Sequence, residues 1–337
     1  MPNAPSGPIL EVRDLTVEFK IDGQWTPVVS HVNLEVDSGE ILGVVGESGS
    51  GKSVTAYAIM GLTSHQGGRL AGGTIRIAGH DIDRQGKRSD SIRRGRDFAM
   101  VFQKPMSSLN PAYKVGEQIA EGLRVHLGLS RRDAWDRAIG LLDRVQIPRA
   151  SERVHDYPHQ FSGGMLQRAM IASAISCSPG LLIADEATTA LDVTVQAEIL
   201  DLLRDVQSEL GMAVVFITHD LSVVAELCTR VAVMYSGQMV ETADVSSLFR
   251  RPLHPYTEGL MMTRPSRGDH RFATIPGNVP MPTEWPTGCR FYDRCSYGIA
   301  DVCCGAPIEE SERAKRTVRC CRSESLTLQG IIDRKAQ

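Results

Sequence analysis

A glycine-rich octapeptide constrains the fold of this chain more than any other feature. Residues 46–53 read Gly-Glu-Ser-Gly-Ser-Gly-Lys-Ser and fit the pattern G-x-x-x-x-G-K-[ST]. The octapeptide follows the apolar run Ile41–Val45, which is typical of a strand buried on both faces, and precedes a helical run from Val54 to Gly61. This context predicts a phosphate-binding loop, in which backbone N–H groups and a helix N-terminus surround the anion.

The loop assigns chemistry to individual side chains. Lys52 is expected to reach the β- and γ-phosphates, and the Ser53 hydroxyl is expected to ligate Mg²⁺. Other residues of the cradle are expected to contact the nucleotide as well; they are Gly46, Ser48, Gly49, Ser50, Gly51 and Val54. We therefore predict that the chain binds ATP with Mg²⁺ at this loop.

A second apolar run delivers two carboxylates. Residues 181–184 are apolar and lead directly into Asp185 and Glu186. Ligands of open α/β sheets bind at the carboxyl ends of the strands, where these side chains are expected. Asp185 is predicted to hold Mg²⁺, and Glu186 is predicted to orient or deprotonate the attacking water.

The pattern along the chain predicts an α/β fold with a mostly parallel sheet. Residues 9–19 and 28–36 alternate apolar and polar side chains, which is typical of half-buried antiparallel strands. Helical periodicity dominates between Phe102 and Leu181, with Ser130 as a predicted N-cap and Asp133 as its companion. From Arg251 onwards prolines are too dense for regular helices, so a domain boundary is expected near 250–270.

Charge and hydropathy narrow the class of protein. The formal net charge is −3 and the pI is near 6.3, which argues against a protein that coats nucleic acid. No basic segment followed by an apolar run opens the chain, and no stretch approaches 18 uninterrupted apolar residues. The expectation is a soluble cytoplasmic protein with no nucleic-acid partner.

Residues 161–168 read Phe-Ser-Gly-Gly-Met-Leu-Gln-Arg, just upstream of the acidic strand. This segment is similar to the LSGGQ signature, and over residues 9 to about 250 the chain resembles the nucleotide-binding subunits of ABC transporters. Ser162, Gly163 and Gly164 would form a second helix N-terminus that can receive phosphate. In that family, this surface meets the γ-phosphate held by the opposite subunit, so the resemblance implies that each chain supplies half of two ATP sites.

The resemblance also assigns roles outside these motifs. Gln103 resembles the glutamine that senses Mg²⁺ and the attacking water, and His219 resembles the switch histidine that contacts the γ-phosphate. Residues 190–192, Ala-Leu-Asp, resemble the loop that crosses the dimer interface and make Asp192 a candidate binding residue. Phe19 is the first candidate to stack on adenine, with Trp25 as the alternative.

The implied architecture is an ABC-type ATPase with an antiparallel β-subdomain, a helical insertion and a small cysteine-rich C-terminal extension. The nucleotide-binding domain is expected to span residues 1–255, its helical subdomain about 104–178, and the extension 256–337. Three segments bring the chain closest to the ATPases of oligopeptide and dipeptide importers; they are residues 101–111, 156–160 and 252–257.

This subgroup implies an ATP-hydrolysing subunit that powers peptide import from the cytoplasmic face of the cell membrane, where it is peripherally bound. The implied partners are two membrane-spanning permease subunits, a second and non-identical ATPase, and an extracytoplasmic solute-binding protein. The subgroup also includes nickel and oligosaccharide importers. The alternative hypotheses are a soluble ABC ATPase of DNA repair or translation and a nonhydrolysing binding module.

Six of the eight cysteines lie between residues 289 and 321. Without a secretory signal a disulfide framework is disfavoured, so these are free thiols or a metal site. The resemblance implies a [4Fe–4S] cluster on Cys289, Cys295, Cys303 and Cys320, with Cys304 and Cys321 as competing ligands. Zinc and unliganded thiols are the alternatives. The proline-rich extension is expected to form little core without such a staple.

Overall fold

The structure is a computed structural model that describes residues 7–82, 92–103, 108–188, 192–263, 274–313 and 316–331. In chain order the described strands are β1 (Leu10–Ile21), β2 (Gln24–Val36), β3 (Ile41–Val45), β4 (Gly68–Ile77), β5 (His80–Asp81), β6 (Phe98–Val101), β7 (Leu181–Asp185), β8 (Ala213–Thr218), β9 (Arg230–Tyr235), β10 (Gln238–Asp244), β11 (Ser311–Arg313) and β12 (Arg316–Val318).

The described α-helices are α1 (Lys52–Ile59), α2 (Val115–Leu127), α3 (Arg131–Arg144), α4 (Ala150–Arg153), α5 (Gly163–Ile175), α6 (Val193–Leu210), α7 (Leu221–Leu227), α8 (Val245–Arg250), α9 (Pro255–Met262) and α10 (Ala300–Cys303). Short 3₁₀ turns span Thr63–Gln66, Pro158–Gln160, Pro282–Glu284 and Tyr292–Arg294. In the part of the chain with described coordinates, no helix is both long and apolar enough to cross a bilayer.

The strands form two sheets. The smaller sheet is antiparallel and has the order β2-β1-β4-β5. The larger sheet has the order β11-β12-β10-β9-β3-β8-β7-β6, and neighbours from β9 to β6 are parallel. The predicted α/β class with an antiparallel β-subdomain is thereby confirmed. Because the central strands are parallel, the carboxyl ends of β3, β7 and β8 lie at one edge.

The central strands separate two hydrophobic cores, which explains their continuous apolar sequences. Successive side chains of a strand point to opposite faces. Leu181 and Ile183 therefore pack in the core with α1 and the antiparallel sheet, while Leu182 and Ala184 pack in the core with the helices between residues 115 and 175. Every residue of β7 is buried.

The helices between residues 115 and 175 form a lobe on one side of the sheet. The predicted cap of α3 is confirmed, because the Ser130 hydroxyl accepts a hydrogen bond from the Asp133 N–H at 3.2 Å. Arg168 ties the lobe to α6. Its buried guanidinium donates to the Val145 carbonyl at 3.0 Å and to the Glu198 carboxylate at 2.7 Å.

The C-terminal extension is more regular than the sequence predicts, and the expectation that its proline content excludes regular helices is wrong. Helix α9 forms between Pro252 and Pro265 because Pro255 occupies its first turn, where a missing N–H is tolerated. The His254 Nδ1 accepts the Tyr256 N–H at 3.0 Å and caps the same turn.

The extension also has a core, because it packs on the end of the central sheet instead of folding by itself. The Tyr256 ring lies 4.6 Å from that of Tyr235 in β9 and 5.3 Å from that of Phe291, measured between centroids. Strand β12 pairs with β10, and Arg316 forms a buried ion pair with Glu241.

Candidate ATP-binding site

The phosphate-binding loop connects β3 to α1, and its glycines permit close backbone approach. A Cβ atom at Gly46 would lie 2.1 Å from the Met234 carbonyl oxygen of β9. Gly51 caps α1 with φ +105°, a conformation that L side chains rarely adopt. The predicted strand–loop–helix unit is therefore present, with its glycines at positions where side chains do not fit.

Lys52 lies at the start of α1 with its ammonium group buried against the loop. Its Nζ donates to the Gly46 carbonyl at 2.7 Å and to the Glu47 carbonyl at 2.8 Å. Burial lowers the pKa of Lys52, while the negative charges of Glu186, Asp185 and Glu47 oppose that shift. The ammonium group also lies 3.4 Å from the Ser50 hydroxyl, and from this position it can donate hydrogen bonds to the oxygens of a bound phosphate.

Ser53 and Asp185 meet across the edge of the sheet. The Ser53 hydroxyl donates to Oδ1 of Asp185 at 3.1 Å, and Oδ2 of Asp185 has no hydrogen-bond partner among the described residues. Asp185 is fully buried, and burial raises its pKa. An unpartnered buried carboxylate oxygen beside a hydroxyl matches the oxygen ligands that Mg²⁺ requires, so the donor set fits the ion.

The three residues predicted to be catalytic lie close together. Nε2 of Gln103 donates to Oε2 of Glu186 at 2.6 Å, and Nδ1 of His219 lies 3.7 Å from Oε1 of the same carboxylate. The Glu186 N–H donates to the Ile217 carbonyl of β8 at 2.9 Å, which fixes the backbone at the end of β7. Residues from three different strand ends thus surround one carboxylate.

The signature residues lie at the exposed start of α5. The Ser162 hydroxyl caps this helix by accepting the Met165 N–H at 3.3 Å, and an added Cβ at Gly163 would meet nothing within 4 Å. Helix α5 packs against α2, α3 and β6, whereas α1 packs against β1, β2 and β7. The phosphate cradle therefore belongs to the part of the fold that contains the antiparallel sheet, and the signature residues belong to the helical lobe.

Asp192 caps α6 by accepting the Val195 N–H at 2.9 Å. A Cβ at Gly164 would lie 2.9 Å from the Val195 side chain, so the starts of α5 and α6 are neighbours. The structure brings Ser162, Gly163, Gly164 and Asp192 into one region. Residues 190 and 191, which were assigned with Asp192, lie outside the described residues, as do 104–107 of the segment after Gln103.

The two adenine-stacking candidates differ in exposure. Phe19 is half-buried against Gly68 of the antiparallel sheet, where an added Cβ would lie 2.8 Å from its ring. Trp25 is 39% exposed, and the Arg69 guanidinium carbon lies 4.3 Å from its ring centroid. One face of Trp25 is therefore already stacked, and the assignment of Phe19 stays a prediction.

The predicted cluster ligands Cys289, Cys295, Cys303 and Cys320 all line one cavity in the extension, together with Cys321; its volume is about 20 Å³. Cys303 is buried, whereas the neighbouring Cys304 is exposed and does not line the cavity. All eight cysteines are free thiols. Within the described ranges no three His, Cys, Asp or Glu side chains are arranged to hold a metal ion, so the thiols share a cavity without forming a single-ion site.

Residues to which the sequence analysis assigned no role at the ATP-binding site also lie at or near the loop. The Tyr256 hydroxyl accepts the Glu47 N–H at 2.9 Å, and Arg294 binds the Glu47 carboxylate. Tyr57 of α1 stacks on Phe102 beside Gln103, with ring centroids 6.5 Å apart. In the sequence, Arg294 is marked only by its position next to Cys295, and that position does not predict where its side chain points.

Two family profiles match different parts of the chain. Residues 29–189 match the ABC transporter profile, and residues 240–303 match the profile "Oligopeptide/dipeptide transporter, C-terminal region". The second match begins in β10 and ends at Cys303, so it includes the helix α9 and much of the cysteine-rich segment.

Two relatives from Brucella are similar over almost their whole length. A Brucella abortus protein described as "Putative peptide import ATP-binding protein" is 50% identical over 305 residues, which cover 90% of this chain and 92% of the relative. A Brucella melitensis protein of the same description is 46% identical over 332 residues, covering 95% and 98%.

Solved structures share the fold of the ATP-binding part. A dimeric ATP-binding cassette in a post-hydrolysis state with ADP and phosphate has a TM-score of 0.61 and 26% identity, over 70% of this chain and 98% of that one. CbiO1 of Clostridium perfringens, part of an ABC transporter complex, has a TM-score of 0.60 and 25% identity, over 72% and 91%. With its phosphate loop, acidic strand end and signature helix, and with relatives of this identity and coverage, the chain belongs to the ATP-binding subunits of the ABC transporter family.

Proposed function

We propose that this chain is the ATP-hydrolysing subunit of an ABC importer for peptides. The contact between the Ser53 hydroxyl and Asp185 carries the proposal, because it joins the phosphate cradle to the acidic end of β7. Hydrolysis needs both parts at one place, one to hold the triphosphate and the other to act on Mg²⁺ and water.

The cradle binds and orients the triphosphate. Backbone N–H groups of the loop and the N-terminus of α1 face the phosphates, and Lys52 adds a positive charge for the β- and γ-phosphates. The carbonyl groups of Gly46 and Glu47 hold the Lys52 ammonium in advance, so little side-chain entropy is lost when ATP binds. Ser48, Gly49, Ser50, Gly51 and Val54 complete the contact surface.

Ser53, Asp185 and Gln103 are the residues that would hold Mg²⁺. When bound, the ion neutralises charge on the phosphate oxygens. The buried Asp185 carboxylate already points one unpartnered oxygen at this edge. The Gln103 amide already donates to Glu186, so the same side chain would link the ion to the catalytic carboxylate.

Glu186 takes a proton from, or orients, the water that attacks the γ-phosphate. The Gln103 amide holds one carboxylate oxygen, and His219 lies beside the other, from where its ring can contact the γ-phosphate. These contacts fix the direction of the Glu186 carboxylate before substrate arrives.

A second ATPase subunit completes each site. The exposed start of α5, with Ser162, Gly163 and Gly164, offers N–H donors to an anion that this chain does not itself supply. Asp192 lies next to this surface. A similar solved cassette is dimeric and holds ADP and phosphate, which supports closure of two subunits around the nucleotide. We propose a related, non-identical subunit as the partner.

The extension supports peptides as the transported class. Its match to an oligopeptide/dipeptide transporter region and the peptide-import descriptions of the Brucella relatives both favour them. The complex then includes two membrane-spanning permeases and an extracytoplasmic solute-binding protein, with this subunit at the cytoplasmic face. ATP binds the closed pair of ATPases more tightly than the open pair, so binding drives closure and hydrolysis reverses it.

The test is reconstitution of the full complex in lipid vesicles with dipeptides, longer peptides, Ni²⁺ and oligosaccharides offered in separate assays. Peptide uptake that requires ATP and stimulates phosphate release supports the proposal. Stimulation by Ni²⁺ or an oligosaccharide alone refutes the peptide assignment. Purification of the chain without any hydrophobic subunit, but with ribosomes or DNA, would refute the transporter assignment.

We propose further that the cysteine cavity holds a [4Fe–4S] cluster. Four thiols of the predicted set line it, and four thiolates are what such a cluster binds. Zinc, which four cysteine thiolates also bind, is the competing occupant of this cavity. Anaerobic purification with visible absorption and metal analysis decides between iron, zinc and free thiols.

A further inference from the structure

The Cys289–Cys295 loop of the extension reaches the phosphate-binding loop through Arg294. The guanidinium binds both oxygens of the Glu47 carboxylate, with Nη1–Oε2 at 2.8 Å and Nη2–Oε1 at 3.0 Å. Two parallel hydrogen bonds between charged groups give both strength and a fixed orientation. The Arg294 side chain is 5% exposed and that of Glu47 is 31% exposed, so solvent screens this pair only partly.

Contacts other than the Glu47 ion pair also hold the Arg294 side chain in place. Its Nε donates to the Pro276 carbonyl at 2.8 Å, and its guanidinium lies 5.7 Å from the centroid of the Tyr235 ring. These contacts come from two separate segments, the residues near 276 and the end of β9. The positive charge therefore has a defined position beside the ATP-binding edge.

Tyr256 of α9 holds the same residue by its backbone. Its hydroxyl accepts the Glu47 N–H at 2.9 Å, and its ring is fully buried between Tyr235 and Phe291. The carbonyl of Glu47 in turn accepts from Lys52 Nζ. Glu47 is thus bound at its N–H and side chain by the extension and at its carbonyl by the phosphate-binding lysine.

A second connection runs through the turn between β9 and β10. The Gly237 N–H donates to the Ser50 carbonyl of the phosphate loop at 2.8 Å. Arg290, from the same Cys289–Cys295 loop, donates to the Ser236 carbonyl at 2.6 Å. The extension therefore supports the phosphate loop at two points, one direct and one through this turn.

We propose that Arg294 and Tyr256 are positioning residues for ATP binding, through which the C-terminal extension sets the charge and shape of the phosphate loop. A triphosphate bound by Lys52 lies close to the Glu47 carboxylate, which would repel it. Arg294 neutralises that carboxylate, and Tyr256 fixes the peptide whose carbonyl anchors Lys52. The inference rests on the proposed function only in that the loop must bind ATP.

The experiment measures ATP affinity of the full-length chain with four variants: Arg294→Met, Arg294→Lys, Glu47→Gln and the Arg294→Met/Glu47→Gln double variant. Arg294→Met leaves a carboxylate unpaired beside the phosphates and is expected to weaken ATP binding about tenfold. Arg294→Lys keeps the charge but not the two-point geometry, so a smaller loss is expected. The double variant removes the repulsion as well and should recover most of the affinity.

Arg313→Met is the matched control, because Arg313 also pairs with a glutamate of the extension, Glu324, without contacting the phosphate loop. Its ATP affinity should equal that of the wild type. Tyr256→Phe tests the backbone contact and should weaken ATP binding by about threefold, the range of one neutral hydrogen bond. Thermal unfolding of each variant shows whether it is folded.

Kinetic measurements on the assembled complex then distinguish a positioning role of Arg294 from a merely structural one. Arg294→Met should raise KM for ATP about tenfold with a much smaller change in kcat, because the uncompensated charge acts on binding. Equal ATP affinity in wild type and Arg294→Met, or a double variant as weak as the single one, overturns the inference. Failure of the wild type to bind ATP instead overturns the proposed function.

Discussion

At the phosphate-binding edge, eight consecutive residues form the cradle, and the ends of β6, β7 and β8 add Gln103, Glu186 and His219. At the cysteine cavity, the thiols come from loops between residues 289 and 321 and from the end of the four-residue helix α10, joined by contacts such as the Cys289 N–H to the Cys303 carbonyl at 2.8 Å. Regular elements fix the first site by their geometry, whereas loop packing fixes the second. The comparison shows that two sites in one chain can be held in place by quite different kinds of structure.

The two regions also differ in charge. The edge combines Lys52 with the carboxylates of Asp185 and Glu186, so opposite charges offset part of the cost of burial. The cavity contains thiols, and burial raises the pKa of Cys289 to about 12 and that of Cys321 to about 11. Without a bound cation these two cysteines are neutral at pH 7, and Arg322 is the charged side chain among the residues that line the cavity.

The largest expected effect is at the edge. Glu186→Gln should reduce ATP hydrolysis by about a hundredfold or more, because it removes the base while keeping the size of the side chain. Bound ATP should then accumulate in a closed pair of ATPase subunits, visible by gel filtration with ATP. Glu152→Gln, on the exposed surface of the helical lobe, is the control. Unchanged turnover in Glu186→Gln would remove this residue from the mechanism.

Asp185→Asn should separate activity from stability. Hydrolysis should fall about tenfold or more because a charged Mg²⁺ ligand is lost. The nucleotide-free protein should become more stable at pH 7, with Tm raised by about 2–4 °C for each kcal/mol of relieved burial cost. Burial raises the pKa of Asp185 above its ordinary 3.8, so the folded state binds the proton more tightly than the unfolded state.

The pH dependence of that stability gain follows from the sign of the shift. Wild-type stability falls as pH rises from 3.8 through the raised pKa, while the asparagine variant is unaffected by this group. The difference in Tm between the two proteins should therefore be present at pH 7 and vanish below pH 3.8. A Tm gain that is the same at all pH values would contradict the assignment.

Adjacent cysteines test the cavity. Cys303 is buried in the cavity and Cys304 is exposed outside it. Cys303→Ser should lower the iron content of anaerobically purified protein to less than half, whereas Cys304→Ser should leave it unchanged; Cys289→Ser should behave like Cys303→Ser. Equal iron content in the two neighbouring variants would mean that the cavity is not where iron binds.

A matched pair of glycines compares the two regions directly and gives the smallest expected effect on stability. An added Cβ at Gly46 would lie 2.1 Å from the Met234 carbonyl oxygen, and one at Gly288 would lie 2.1 Å from the Cys303 carbonyl oxygen. Each alanine variant should lose about 1–3 kcal/mol of the free energy of unfolding. Only Gly46→Ala should also abolish ATP binding. Equal ATP affinity in the two variants would show that the edge tolerates displacement.

Sequence periodicity predicted the parallel strands and the helices well, because the buried strands are continuously apolar and the lobe helices keep three- and four-residue spacing. It did not predict α9, because the high proline content argued against helices there. It also did not predict which part of the fold the extension packs against. Pro255 is compatible with helix because it lies in the first turn. Local sequence signals do not report what a segment packs against, so the shared core of Tyr235, Tyr256 and Phe291 was not predictable.

The sequence by itself determined the phosphate-binding chemistry. Residues 46–53 form the cradle from eight consecutive positions, and Asp185 and Glu186 directly follow the apolar residues of their strand. Only the tertiary structure decided which cysteines share a cavity and that Arg294 and Tyr256 reach Glu47 from more than 200 positions away. The physical reason is range. Backbone geometry over a few residues is set by local sterics and hydrogen bonds, whereas contacts between distant loops depend on how the whole extension packs on the sheet.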